Sequence, residues 1–143
     1  MKLEIKKVDS MAVVPKYAHE SDAGFDLYSV DFGELKPGET RVFSTGLKMA
    51  IPEGYAVSIR PRSGLSLNSY LRIANAPGTI DSGYRGEVGV ILHNTGNKIA
   101  HINVGDRIAQ GVLTRVPKAE FEVVDELSET IRGEGGFGHT GIK

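Results

Sequence analysis

Apolar and polar residues alternate with a period of two in several short stretches of this chain. Tyr55, Val57 and Ile59 alternate with Ala56, Ser58 and Arg60, and Val88, Val90 and Leu92 alternate with Gly89, Ile91 and His93. Such alternation puts one set of side chains on each face of an extended strand. Residues 40–44, 108–114 and 121–124 read the same way. Turn formers separate these runs, at Pro37-Gly38, Pro52-Glu53-Gly54, Pro77-Gly78, Thr95-Gly96-Asn97 and Gly105-Asp106. Short strands with turns at this spacing predict an all-β sandwich or barrel. The one helix signal covers residues 63–69, with Ser63 as N-cap and Leu65 and Leu67 toward the core. The last dozen residues, which include RGEGGFGHTG, are too rich in glycine to order themselves. The expected organisation is a β domain over 1–131 and a mobile tail over 132–143.

Composition narrows the function. The chain has 143 residues, the usual size of one domain, and 40% hydrophobic residues. Seventeen basic and 18 acidic residues leave a net charge of -1, which gives no general attraction to duplex nucleic acid or anionic membrane. An anionic ligand must therefore be held by a local constellation. There is no cysteine, which removes disulfides, thiolate nucleophiles and cysteine zinc sites, among them the zinc deaminase signature. The start, MKLEIKKVDS, lacks the apolar run of a signal peptide, and no stretch approaches a membrane span. The expectation is a soluble, cytoplasmic or otherwise intracellular protein.

Three segments carry possible chemistry. PRSGLS, residues 61–66, opens the short helix, and its backbone N–H groups with Arg62 and Ser63 suit an anion as well as an ordinary helix cap. NAPGTIDSGYRGE, residues 75–87, holds Asp81 and Tyr84 in a turn-rich connection, where an aspartate either caps a turn or serves as a general base. Asp106 in VGDRIAQ has the same two readings, with Gly105-Asp106 as a hairpin turn and Gln110 on the strand beyond it. In the tail, Gly133-x-Gly135-x-x-Gly138 matches a dinucleotide fingerprint and residues 133–140 approach a P-loop, but neither has the strand before it and helix after it that those sites need. Small residues there still expose N–H groups to an anion beside Arg132, and Phe137, an aromatic ring among glycines, suits stacking. The four histidines have no metal-ligand spacing, and His93 reads as a surface or cross-strand residue.

Taken together and in order, five segments resemble the motifs of the homotrimeric dUTPase family. They are AGFDLYS (23–29), PRSGL (61–65), NAPGTIDSGYRGE (75–87), GDRIAQ (105–110) and RGEGGFGHTG (132–141). The resemblance spans nearly the whole chain. Phe25, Gly83 and His139 depart from it, standing where tyrosine, an acidic residue and serine are frequent. It implies a jelly-roll-like β barrel, a homotrimer, and active sites shared between chains. The implied reaction converts dUTP to dUMP and pyrophosphate, which limits uracil in DNA and supplies dUMP for dTMP synthesis. By position, Asp81 would be the general base for water attack on the α-phosphorus. Arg62, Ser63, Gly64 and Gln110 would hold the phosphates. Asn75, Gly78, Thr79 and Ile80 would lie in a hairpin, spanning 75–80, that reads uracil, with Tyr84 under the deoxyribose and Phe137 over the base. Arg132 and the tail residues Gly138, His139 and Thr140 would grip the γ-phosphate. Asp26 would orient the site or a metal-bound water. Mg2+ would be held by the substrate phosphates, with no direct protein ligand. Two rivals are a dCTP deaminase of the same fold, which needs a glutamate at the reacting base, and a nucleotide-gated binding protein, which would show tight dUTP binding or a stable partner complex.

Overall fold

The computed structural model describes residues 1–137. Ten strands and one short helix form the packed body. One four-stranded sheet has the order β1 (Glu4–Lys7), β4 (Thr40–Ala50), β8 (Glu87–Asn94), β6 (Leu71–Ile73). The other has the order β2 (Gly24–Tyr28), β10 (Arg107–Arg115), β5 (Tyr55–Arg60), β7 (Gly78–Asp81), and β3 (Gly33–Leu35) pairs with β9 (Ala100–Ile102) as a ribbon. All pairings are antiparallel.

The alternating runs explain the core. In β8, Val88, Val90 and Leu92 are buried while Gly89, Ile91 and His93 face partly outward. They meet Phe43, Leu47 and Met49 of β4, and across the sandwich Leu27, Val57, Ile59 and Ile108. Leu35 and Ile102 bring the ribbon into the same cluster. Asn94 is fully buried at the end of β8, and its side chain donates to the carbonyls of Leu35 (3.0 Å) and Lys98 (2.7 Å) and accepts from Gly96 N (2.9 Å). A buried amide fully bonded in this way fixes the ribbon to the sheet. His93 does act across strands, with Nδ1 2.8 Å from Thr40 Oγ1.

Several sequence expectations change in detail. The jelly-roll-like, all-β architecture holds, but the sheets stay separate and do not close into one hydrogen-bonded barrel. The strand expected at 40–44 runs on to Ala50, with a register shift between Ser44 and Lys48 where Gly46 takes φ +67°. Residues 121–124 form no strand. Phe121 and Val123 are fully exposed, because alternation needs a ladder partner and none of the described residues supplies one. Helix α1 (Ser63–Asn68) starts one residue earlier than expected, so that Arg62 is its N-cap and Ser63 its first helical residue. Leu65 packs against the core, whereas Leu67 points to solvent. The Gly105-Asp106 turn is real, with Asp106 accepting from Asn103 N at 2.8 Å, but it joins β9 and β10 of different sheets and so is not a hairpin.

Candidate active site

Sheet register sets the first half of the site. Asp26 of β2, Gln110 of β10 and Arg60 of β5 stand in one row across neighbouring strands. The chain leaves β5 through Pro61 into Arg62 and α1, so Arg62 comes back over that row. Its Nε donates to Asp26 Oδ1 at 2.7 Å, and Arg107 donates to Asp26 Oδ2 at 3.3 Å. Arg62 also donates to the carbonyl of Arg107 at 3.3 Å. Gln110 Nε2 donates to the carbonyl of Pro61 at 2.8 Å, which fixes the peptide just before Arg62. Gly24 makes room for this: a Cβ there would stand 2.6 Å from Gln110 Oε1.

Asp26, Arg62, Ser63, Gly64 and Gln110 line one open cavity of about 330 Å³. Five of the residues singled out in the sequence, drawn from three separate motifs, are thus brought together by the fold. Asp26 is the carboxylate that aims Arg62. Sequence reasoning missed Arg107, although it stands inside the GDRIAQ segment, and also Lys16 and Asp22, which line the same cavity without belonging to any motif.

The second group lies elsewhere on the sheet. β7 is an edge strand, with Gly78 opposite Ile59 and Asp81 opposite Ala56 of β5. Residues 74–77 carry the chain from β6 in one sheet to β7 in the other through a cis Ala76–Pro77 peptide, so the expected hairpin at 75–80 is an inter-sheet turn. Gly78 is buried beside the Asn75 side chain, Thr79 is exposed and Ile80 is half-buried against the core. Asp81 is exposed, and its carbonyl accepts from Tyr84 N at 3.1 Å. Tyr84 lies across Gly86, where a Cβ would collide with its ring, and its hydroxyl donates to the carbonyl of Glu87 at 3.0 Å. The hydroxyl end of the ring is therefore held, and the residue stays 45% exposed.

Asp81 is far from the cavity within one chain. It is four residues along β5 from the Arg60 row, roughly 13 Å, and β2 lies three strands away, roughly 14 Å, which puts Asp81 about 20 Å from Asp26. The third group is separate again. Arg132 Nε donates to the carbonyl of Gly135 at 2.9 Å, and Phe137 is wholly exposed. Gly138, His139 and Thr140 lie outside the described residues.

Comparison with known proteins bears on the whole chain. The family model described as dUTPase matches residues 10–141. The deoxyuridine 5'-triphosphate nucleotidohydrolase of Nautilia profundicola is 50% identical over 141 residues, covering 99% of both chains. That of Gloeothece citriformis is 46% identical over 142 residues, 99% of this chain and 98% of the relative. Among solved structures, the Staphylococcus bacteriophage 80alpha dUTPase with dUpNHpp superposes with a TM-score of 0.93 at 31% identity, covering 99% of each chain. A match of this length, at this identity, in both sequence and fold, has one meaning: the chain belongs to the dUTPase family.

Proposed function

We propose that the protein hydrolyses dUTP to dUMP and pyrophosphate, in a site assembled from more than one chain of a homotrimer. The observation that carries the shared site is the separation of Asp81 from the Arg62 cavity. A general base must stand within one hydrogen bond of the water it activates. A single chain that holds the phosphates at Arg62, Ser63, Gly64 and Gln110 leaves its own Asp81 about 20 Å away. In a closed cyclic assembly one chain's β7 edge meets another chain's cavity, and each interface then yields one whole site.

Each group has a role in that site. Arg62, oriented by Asp26, and Gln110 grip the phosphate chain with Ser63 and Gly64. Asp81 takes the proton from the attacking water, and the oxygen forms a bond to the α-phosphorus as pyrophosphate departs. Asn75, Gly78, Thr79 and Ile80 present backbone to the uracil edge. Cytosine, once bound, would leave those backbone groups covered and unpaired, a mismatch worth ~10⁴–10⁵ in selectivity. Tyr84 offers its free ring face to the deoxyribose, where a 2′-hydroxyl would collide. Residues 132–143 close over the site as a tail, Phe137 on the base and Arg132, Gly138, His139 and Thr140 at the γ-phosphate, which excludes water.

The donor set is compatible with a divalent ion carried by the substrate. Both oxygens of Asp26 are engaged by arginines, and no cluster of three or more metal-ligating side chains exists among the described residues. Mg2+ held by the phosphates would supply charge neutralisation of the departing pyrophosphate, and Asp26 would orient the site or a water bound to the metal. No helix of the described chain is long and apolar enough to cross a membrane. The direct test is turnover of each deoxynucleoside triphosphate with and without magnesium, with products separated by chromatography. dUMP and pyrophosphate from dUTP alone is the expected result. Deamination of dCTP, or dUTP binding without turnover, would overturn the reading.

A further inference from the structure

We propose that Lys16 is a phosphate-binding residue of this site, a cation that grips the polyphosphate chain of the substrate and of the pyrophosphate product. The proposal rests on the functional reading above. Two cavities meet at Lys16. One is the cavity of Arg62 and Gln110. The other, about 280 Å³, is an apolar groove between Leu3, Val14, Tyr17, Phe25 and Leu113. A lysine that borders both an apolar and a polar surface lays its methylenes along the first and carries its ammonium to the second.

The neighbours of Lys16 hold it there. Pro15 restricts the backbone one residue before it. One residue after it, Tyr17 stands edge-on to Phe25, with ring centroids 5.8 Å apart and planes at 88°. Phe25 is buried in β2 directly before Asp26. Tyr17 is thus docked on this strand, and Lys16 lines the same cavity as the carboxylate that aims Arg62.

Charge balance gives the lysine its purpose. The ionisable residues lining the cavity are Lys16, Asp22, Asp26 and Arg62. Arg62 is bound to Asp26, and Asp22 accepts from His19 N at 2.8 Å in a turn at the rim. Lys16 forms no ion pair among the described residues. Without it the lining carries one cation against two carboxylates, with only Arg107 behind Asp26 to offset the difference. A ligand with several negative charges needs a surplus of positive charge, and beside Arg132 of the tail and a metal ion carried by the substrate, Lys16 is the ammonium that the cavity lining itself adds.

The test uses the full chain with Lys16→Gln and Lys16→Arg, and Lys36→Gln as a control for net charge. Lys36 is exposed in the turn between β3 and β4 and does not line the cavity. For Lys16→Gln, KM for dUTP and the inhibition constant of inorganic pyrophosphate should each rise about tenfold, the size of one charge-assisted hydrogen bond at a partly solvated site. The fall in kcat should be much smaller, because an interaction made equally in ground and transition states acts on KM. Lys16→Arg should restore most of both constants, and melting temperatures should be alike. Wild-type constants in Lys16→Gln, or an equal shift in Lys36→Gln, would overturn the proposal. Should the wild-type protein fail to turn over dUTP, the functional reading falls instead. Calorimetric binding of pyrophosphate to wild type and Lys16→Gln then still decides the role of Lys16: weaker binding to the variant upholds it, equal binding overturns it.

Discussion

Asp26 and Asp81 are chemically identical side chains with opposite surroundings. Asp26 is clamped by Arg62 and Arg107, so its oxygens are already committed. Asp81 is exposed, and none of the described residues hydrogen-bonds its carboxylate, which leaves it free to take a proton. Asp81→Asn keeps the shape and removes the basicity. Turnover of dUTP should fall by ~10²–10⁴, while calorimetry should show binding of a non-hydrolysable dUTP analogue largely retained. Near-normal turnover would remove Asp81 from its role. Tyr84 is held by Gly86 and Glu87 with its outer face open. Tyr84→Ala should therefore open space for a ribose, and the ratio of kcat/KM for dUTP over UTP should drop. An unchanged ratio would locate sugar choice elsewhere. In the sequence, one dense segment puts Asp81 and Tyr84 forward as candidates. It did not make Arg107 visible as a clamp, because a partner 81 residues away in the chain depends on strand register and not on spacing.

At the scale of elements, alternation was a good guide where a partner strand exists and a poor one where it does not. Residues 88–92 and 55–59 read correctly because those strands have partners on both sides and pack one face on the core. Residues 121–124 alternate equally well, yet Phe121 and Val123 lie in solvent. Strands of three residues, β3, β6 and β9, were illegible because so short a run has no periodicity to read. The tail belongs at this scale too. The last strand ends at Arg115, and all the residues from 117 to 134 are exposed, so the core does not depend on them. Deleting residues 132–143 should leave the melting temperature nearly unchanged in a thermal scan while dUTP turnover collapses. Phe137→Ala alone should lose only the ~1–3 kcal/mol of one base–aromatic stack. A truncated protein with full turnover would make the tail dispensable.

At the scale of the whole molecule, the residues to which the proposal assigns chemistry lie in three places that one chain does not bring together. The phosphate cavity lies at one end of the β2-β10-β5-β7 sheet, Asp81 at the far end of its edge strand, and Arg132 and Phe137 beyond the packed body. Ordered motifs along the sequence put these residues forward as candidates, but a linear order carries no distance, and only the register of β5 against β7 and β10 reveals how far apart they stand. The measurement that bears most directly on this account is complementation between two inactive full-length variants, Asp81→Asn and Arg62→Gln. If base and cavity come from different chains, refolding an equal mixture should rebuild intact sites and restore up to about a quarter of wild-type dUTP turnover, the random-mixing yield for sites shared by two chains of a closed ring. If base and cavity belonged to one chain, trimers confirmed to contain both variants would remain as inactive as either variant alone.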